Sequence, residues 1–150
     1  MTITKAAFSI SDDKSLLDIP YIHHYLSTVS YWAENIPIEV VRRSVEGALC
    51  FGIYHNHQQV GFARMVTDSA TFAYLADVFI DEAYRGQGLA KWLMEVMLAH
   101  PALQGLRRIM LATRDAHALY AQYGFTPLPQ PERFMQLHFP DRYKKMPRAE

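Results

Sequence analysis

Among 150 residues there is one cysteine, Cys50. That excludes an intrachain disulfide framework and a cysteine-rich zinc site. It also points to a reducing compartment, so a cytoplasmic protein is expected. No apolar run reaches the ~18 residues that a membrane span needs. The opening Met1-Thr2-Ile3-Thr4-Lys5 has none of the long apolar core of a secretory signal. There is no excess of charge: Lys+Arg is 15, Asp+Glu is 15, and the formal net charge is zero. A broadly basic nucleic-acid binder is therefore not expected, and Arg107-Arg108 is too small a patch to suggest one. Internal repeats and low-complexity tracts are missing too. Only 141–150, polar and carrying Pro147, reads as a tail.

What is present suits one folded domain over 1–140. Half the residues are hydrophobic and 13% are aromatic. A chain of this length buries roughly 68–70% of its unfolded surface, enough for a core without staples.

The pattern along the chain is mixed. Ile3 to Ile10 reads as a strand. Asp18-Ile19-Pro20 opens a helix to about Ser30, because Pro in a first turn costs no hydrogen bond. Pro37 opens a second helix, with Ile38, Val41 and Val45 on one face and Gly47 as its stop. Three strands follow in a meander: Leu49 to Tyr54, Val60 to Val66, and Phe72 to Ile80. Leu89 to Ala99 is an amphipathic helix, Arg108 to Ala112 a short apolar strand, and Ala116 to Tyr123 a helix stopped by Gly124. Phe134 to Phe139 reads as a last strand. The fold class is α+β, a mixed and mostly antiparallel sheet with about four helices on its faces. The strand–helix–strand run from Phe72 to Ala112 demands a parallel pair.

The chemistry concentrates where the third meander strand turns into its helix. Asp77-Val78-Phe79-Ile80 leads through Arg85-Gly86-Gln87-Gly88 to Leu89-Ala90. Glycines there let backbone N–H groups approach a ligand with no Cβ in the way. A helix start offers free N–H groups and the positive end of its dipole. Arg85 adds positive charge suited to phosphate. A phosphate or pyrophosphate cradle is expected. It is not a P-loop, which requires G-x-x-x-x-G-K-[ST]. Nor is it a dinucleotide fingerprint, because Gly86-Gln87-Gly88 is followed by Leu89, Ala90 and Lys91 rather than a third glycine.

Arg85-Gly86-Gln87-Gly88-Leu89-Ala90 resembles the R/Q-x-x-G-x-G/A signature of the GNAT (Gcn5-related N-acetyltransferase) superfamily. A second segment, Ala116-His117-Ala118-Leu119-Tyr120-Ala121-Gln122-Tyr123-Gly124-Phe125, is similar to the family's A-x-x-L-Y-x-x-x-G-F run. One helix and one strand separate the two, as the family requires.

The resemblance implies acetyl-coenzyme A as cosubstrate, with no metal. It places the pyrophosphate on Arg85, Gly86, Gln87, Gly88, Leu89 and Ala90, and the pantetheine arm along Val78, Phe79 and Ile80. Tyr120 matches the tyrosine that often protonates the leaving thiolate; a core tyrosine is the competing reading. Asp77 matches a position where some members place a carboxylate that draws a proton from the amine, often through water. A hydrogen-bonded structural Asp competes with it, since a carboxylate in an apolar strand must be satisfied. Many members have Asn where this chain has Thr113, which either contacts the pantetheine or caps the following helix. Tyr31-Trp32 falls in the region that shapes the acceptor pocket in such folds, with core packing as the alternative. His55-x-His57 has strand-like metal spacing but sits in a hairpin turn without a third ligand nearby.

The expected activity is acetyl transfer from acetyl-coenzyme A to a primary amine, on a small molecule or a peptide, by direct attack. Cys50 has no evident base partner to make it a nucleophile. A non-catalytic acyl-coenzyme A sensor on the same fold is the alternative, and a nucleotide-binding regulatory domain a third reading. Neither a nucleic-acid nor a membrane partner is expected. The acceptor and oligomeric state stay open, dimers being common in families of this kind.

Overall fold

The computed structural model describes residues 1–144. Six strands form one sheet in the order β1-β2-β3-β4-β5-β6. They are β1 Thr2–Lys5, β2 Phe8–Ser11, β3 Leu49–His55, β4 Gln58–Thr67, β5 Phe72–Ile80 and β6 Arg108–Leu111. Neighbours are antiparallel except β5 and β6, which run parallel. Four α-helices accompany them: α1 Ile19–His24, α2 Ile38–Glu46, α3 Leu89–Leu98 and α4 His117–Ala121.

Each face of the sheet carries its own core. Leu93, Met94 and Met97 of α3 pack with Phe51, Ile53 and Met65, and Tyr120 of α4 joins that cluster. Ile22 and Leu26 pack with Val41 and Val45 of α2 over Phe62 and Phe79 on the other face. Val41 and Val45, read as one face of α2, join this core, whereas Ile38 does not.

The meander turns follow from local chemistry. Asn56 and His57 both take left-handed backbone, φ 48° and 71°, and close the β3–β4 hairpin. Asp68 accepts from the Ala70, Thr71 and Phe72 N–H groups and from the Thr71 hydroxyl, which fixes the β4–β5 turn. Those hydrogen bonds, led by that from Thr71, hold its carboxyl well below the usual range.

Two expectations are corrected, and the first helix keeps its extent but not its regular winding. The stretch Ile3 to Ile10 is not one strand but a hairpin, turning where Ala6 adopts φ 55°. Nothing in Lys5-Ala6-Ala7 signals a turn, and a non-glycine residue there costs roughly 1–2 kcal/mol, recovered by pairing β1 with β2.

The first helix keeps its Asp18 cap, whose carboxylate accepts from the Tyr21 N–H at 3.0 Å. After His24, however, it widens into a π-turn over Tyr25–Val29. Ser30 ends it: its N–H reaches back to the Tyr25 carbonyl and its hydroxyl donates to the Leu26 carbonyl at 2.6 Å.

The stretch 134–139 forms no strand. Alternation can pattern a strand, but pairing needs an edge in reach. Here Pro127, Pro129 and Pro131 remove every second donor on the approach, and the chain then makes a 3₁₀ turn at Pro131–Arg133. Phe134 lies under the Arg108 guanidinium and Phe139 under that of Arg142. Met135 and Leu137 are 97% and 90% exposed, so β6 remains an edge strand among the described residues. Of the stretch read as a tail, 145–150 lies outside the described residues. Tyr143, by contrast, packs against the α1–α2 cluster.

Candidate active site

The sheet opens where β5 leaves β6. The two pair only from Phe72 to Leu75, against Arg108 to Leu111. From Ala76 to Ile80, β5 runs on with its β6-facing edge unpaired. A bulge starts this divergence. On β4 one residue separates Phe62 from Arg64, whereas on β5 Asp77 and Val78 both lie between their partners Phe79 and Ala76. Asp77 absorbs the bulge with φ 55°, a conformation that Asp tolerates better than most residues.

A cavity of about 1320 Å³ fills the opening. Most of its lining comes from Tyr25 to Ala33 after α1, Tyr74 to Ile80 of β5, the turn and helix start between Arg85 and Lys91, and Leu111 to Tyr120, with Arg64 and Tyr143 also facing it.

The turn is built as a cradle. Gly86 and Gly88 take φ 82° and 81°, and a Cβ placed on either would meet nothing within 4 Å. The space over their backbone is therefore empty. Gly88 caps α3, and its carbonyl receives the Trp92 N–H, leaving the first three N–H groups of the helix unused by it. Arg85 lines the cavity, yet its guanidinium is turned inward. It donates from Nε to the Ile80 carbonyl at 3.0 Å and from Nη2 to the Tyr25 hydroxyl at 2.9 Å. It offers a phosphate nearby charge and backbone rather than a free fork. Gly86, Gly88, Leu89 and Ala90 face the cavity, as do Val78, Phe79 and Ile80. Gln87 does not; its side chain donates back to the Tyr84 carbonyl at 3.1 Å and closes the turn.

Tyr120 borders the cavity from α4, 8% exposed, with its ring edge-on to Phe125. Its hydroxyl makes no hydrogen bond among the described residues. Burial, with Tyr31 and Asp115 close by, raises the phenol above its ordinary value, so it holds its proton. Tyr123 instead donates to the Lys91 carbonyl at 3.0 Å and ties α4 to α3. Thr113 lines the cavity, and its hydroxyl accepts from the Ala116 N–H at 3.0 Å, shaping the entry to α4.

Both carboxylate oxygens of Asp77 have a donor. Arg64 Nε lies at 2.9 Å from one, and Trp32 Nε1 at 3.0 Å from the other. Tyr31 and Trp32 are 47% and 42% exposed and line the cavity rather than the core. They meet edge to face at 5.1 Å. Tyr31 also carries the Arg114 guanidinium over its ring at 3.7 Å.

Sequence reading missed Arg64, Arg114, Tyr25 and Tyr143. Arg64 was within reach: a charge in the apolar run Gly61-Phe62-Ala63-Arg64-Met65 calls for an opposite charge on the neighbouring strand. Arg114 and Tyr143 lie in segments with no periodicity, and no local signal marks them.

Cys50 is buried away from this cavity, and burial pushes its thiol up to about 11. It is not an available nucleophile. No helix among the described residues is long and apolar enough to cross a membrane.

Comparison with known proteins agrees with this geometry. The profile of the Acetyltransferase (GNAT) domain family matches residues 46–127, from the end of α2 through α4. A Gibberella zeae protein named as an acetyltransferase is 31% identical over 141 residues, covering 79% of this chain and 78% of its own. A crystal structure from Xanthomonas campestris, assigned to the GNAT family, superposes with a TM-score of 0.90. It is 50% identical and covers 92% of this chain and 97% of its own. A Clostridium acetobutylicum protein described as an acetyltransferase and crystallised with acetyl-CoA shares the fold, with a TM-score of 0.65. It is 16% identical over 92% of this chain and 96% of its own. The empty glycine cradle, the opening between β5 and β6 and the tyrosine on α4 thus sit in a chain that belongs to the GNAT acetyltransferase family.

Proposed function

We propose that the protein moves the acetyl group of acetyl-coenzyme A to a primary amine by direct attack. The observation that carries this is the unpaired β5 edge. It runs through one cavity from the glycine cradle at Gly86 and Gly88 to the residues around Tyr120.

The coenzyme supplies an activated thioester; the chain supplies position, charge and protons. Backbone N–H groups of the cradle and the first turn of α3 receive the pyrophosphate, with Lys91 beside them. Val78, Phe79 and Ile80 hold the pantetheine arm along the open edge, as a strand would be held. A backbone N–H near Phe79 or Ile80 steadies charge on the thioester oxygen as the amine attacks. Asp77, fixed by Arg64 and Trp32 as a carboxylate acceptor, attracts the ammonium form of the acceptor and draws its proton away through water. Tyr120 gives its phenolic proton to the departing thiolate. The inert Cys50 supports direct attack over an acetyl-cysteine route.

The test is thiol release from acetyl-coenzyme A against a panel of primary amines, with the acetylated product read by mass spectrometry. Amine-dependent release is expected. Tight coenzyme binding with no release against any amine would turn the reading to an acyl-coenzyme A sensor.

A further inference from the structure

Four cationic side chains line the cavity: Arg64, Arg85, Lys91 and Arg114. Three have work already. Arg64 is paired with Asp77 at 2.9 Å. Arg85 is bound to the Ile80 carbonyl and the Tyr25 hydroxyl. Lys91 stands in the first turn of α3, beside the phosphate cradle.

Arg114 is different. Its guanidinium has no carboxylate or hydrogen-bond partner among the described residues, and the adjacent Asp115 forms no ion pair with it. It is nevertheless held. The guanidinium stacks on the Tyr31 ring at 3.7 Å, and the Arg114 N–H donates to the Tyr31 hydroxyl at 3.3 Å. The Thr113–Ala116 hydrogen bond fixes the loop it stands on. A stacked guanidinium keeps its in-plane N–H fork free, and that fork matches a carboxylate or phosphate.

The surroundings give it a counterpart. Arg114 stacks on Tyr31, Tyr31 meets Trp32, and the Trp32 indole N–H donates to Asp77. The result is a continuous strip along the acceptor side: a free cation, two aromatic rings and a carboxylate. A simple alkylamine would use only the carboxylate end. A molecule with an amine at one end and an oxyanion at the other would use the whole strip.

We propose that the acceptor is an amine that also bears a carboxylate or phosphate, and that Arg114 binds that oxyanion. The inference rests on the amine-acetylation reading above, and a binding measurement separates the two. β-Alanine, 4-aminobutyrate and 2-aminoethyl phosphate are titrated calorimetrically into the protein saturated with coenzyme A, beside propylamine and butylamine as uncharged-tail controls. The same titrations are run on Arg114→Gln and Arg114→Lys, with melting temperatures to check folding. Charge-assisted hydrogen bonds are worth about 1.5–3 kcal/mol, or roughly 10- to 150-fold in affinity.

At least one anionic amine is therefore expected to bind tenfold or more tighter than its control. Arg114→Gln should erase that ratio and Arg114→Lys recover part of it. Carboxylate and phosphate members of the panel identify which oxyanion is preferred. If the controls bind as well as the anionic amines, or the ratio survives Arg114→Gln, the inference is overturned. If anionic amines bind through Arg114 but never become acetylated, the binding site stands and the transfer reading falls.

Discussion

Gly88→Val is expected to weaken acetyl-coenzyme A binding by ~100-fold or more, which is about 2.7 kcal/mol. Gly88 sits at φ 81° with nothing within 4 Å of where its Cβ would be. A Cβ there has open space around it, so the branched side chain of a valine extends over the backbone that the pyrophosphate needs. The positive φ adds a second effect, a strain of roughly 1–2 kcal/mol that lowers the melting temperature whether or not ligand is present. Gly105 separates the two. It has φ 76°, an equally open Cβ position and no part in the cavity. Gly105→Val should carry similar strain and bind the coenzyme normally. Calorimetry on both variants checks this. Normal binding by Gly88→Val would reduce the turn to a connector.

Tyr120→Phe should lower turnover by ~10²-fold, at the lower end of what general acid catalysis contributes. Cofactor affinity and melting temperature should change little. The ring stays in place against Phe125, and the hydroxyl that is lost has no partner among the described residues. A phenol has an ordinary pKa of about 10, and burial beside Tyr31 and Asp115 moves this one upward. A raised value extends the protonated range to higher pH. Wild-type turnover should therefore show no loss from this group at neutral or mildly alkaline pH. Tyr123→Phe is the control. It removes the hydrogen bond to the Lys91 carbonyl, but Tyr123 itself does not line the cavity, so turnover should stay unchanged. If Tyr120→Phe also turns over at the wild-type rate, the proton comes from elsewhere.

Much of this architecture was legible in the sequence. The helices α2 and α3 declare themselves by apolar periodicity, α2 and α4 by the glycines that follow them, and the β3–β5 meander by strand runs set between turn residues. What escaped was set by tertiary context. The hairpin at Ala6 carries no turn signal. The π-turn over Tyr25–Val29 keeps a helix-like sequence, so nothing local distinguishes it from α-helix. The alternation of 134–139 suggests a strand, yet no sheet edge takes it up.

The site divides the same way. Cradle and tyrosine lie in contiguous motifs, where backbone geometry is encoded locally. The proposed acceptor side is assembled from Trp32, Arg64, Asp77 and Arg114, far apart in sequence and joined only by the fold. Asp77 shows why such residues resist prediction. Its place in an apolar strand is visible, but its two donors come from another strand and from the loop after the π-turn.

The most direct test is the melting temperature of the wild-type chain with saturating acetyl-coenzyme A, run beside ATP and NAD. Ligand at 100 times its dissociation constant stabilises the fold by about 2.7 kcal/mol. In a domain of this size that is a rise on the order of 5–10 °C. Acetyl-coenzyme A should produce that rise, and the two nucleotides should not. An unmoved melting temperature with acetyl-coenzyme A, or an equal rise with ATP or NAD, would contradict the assignment of this cavity.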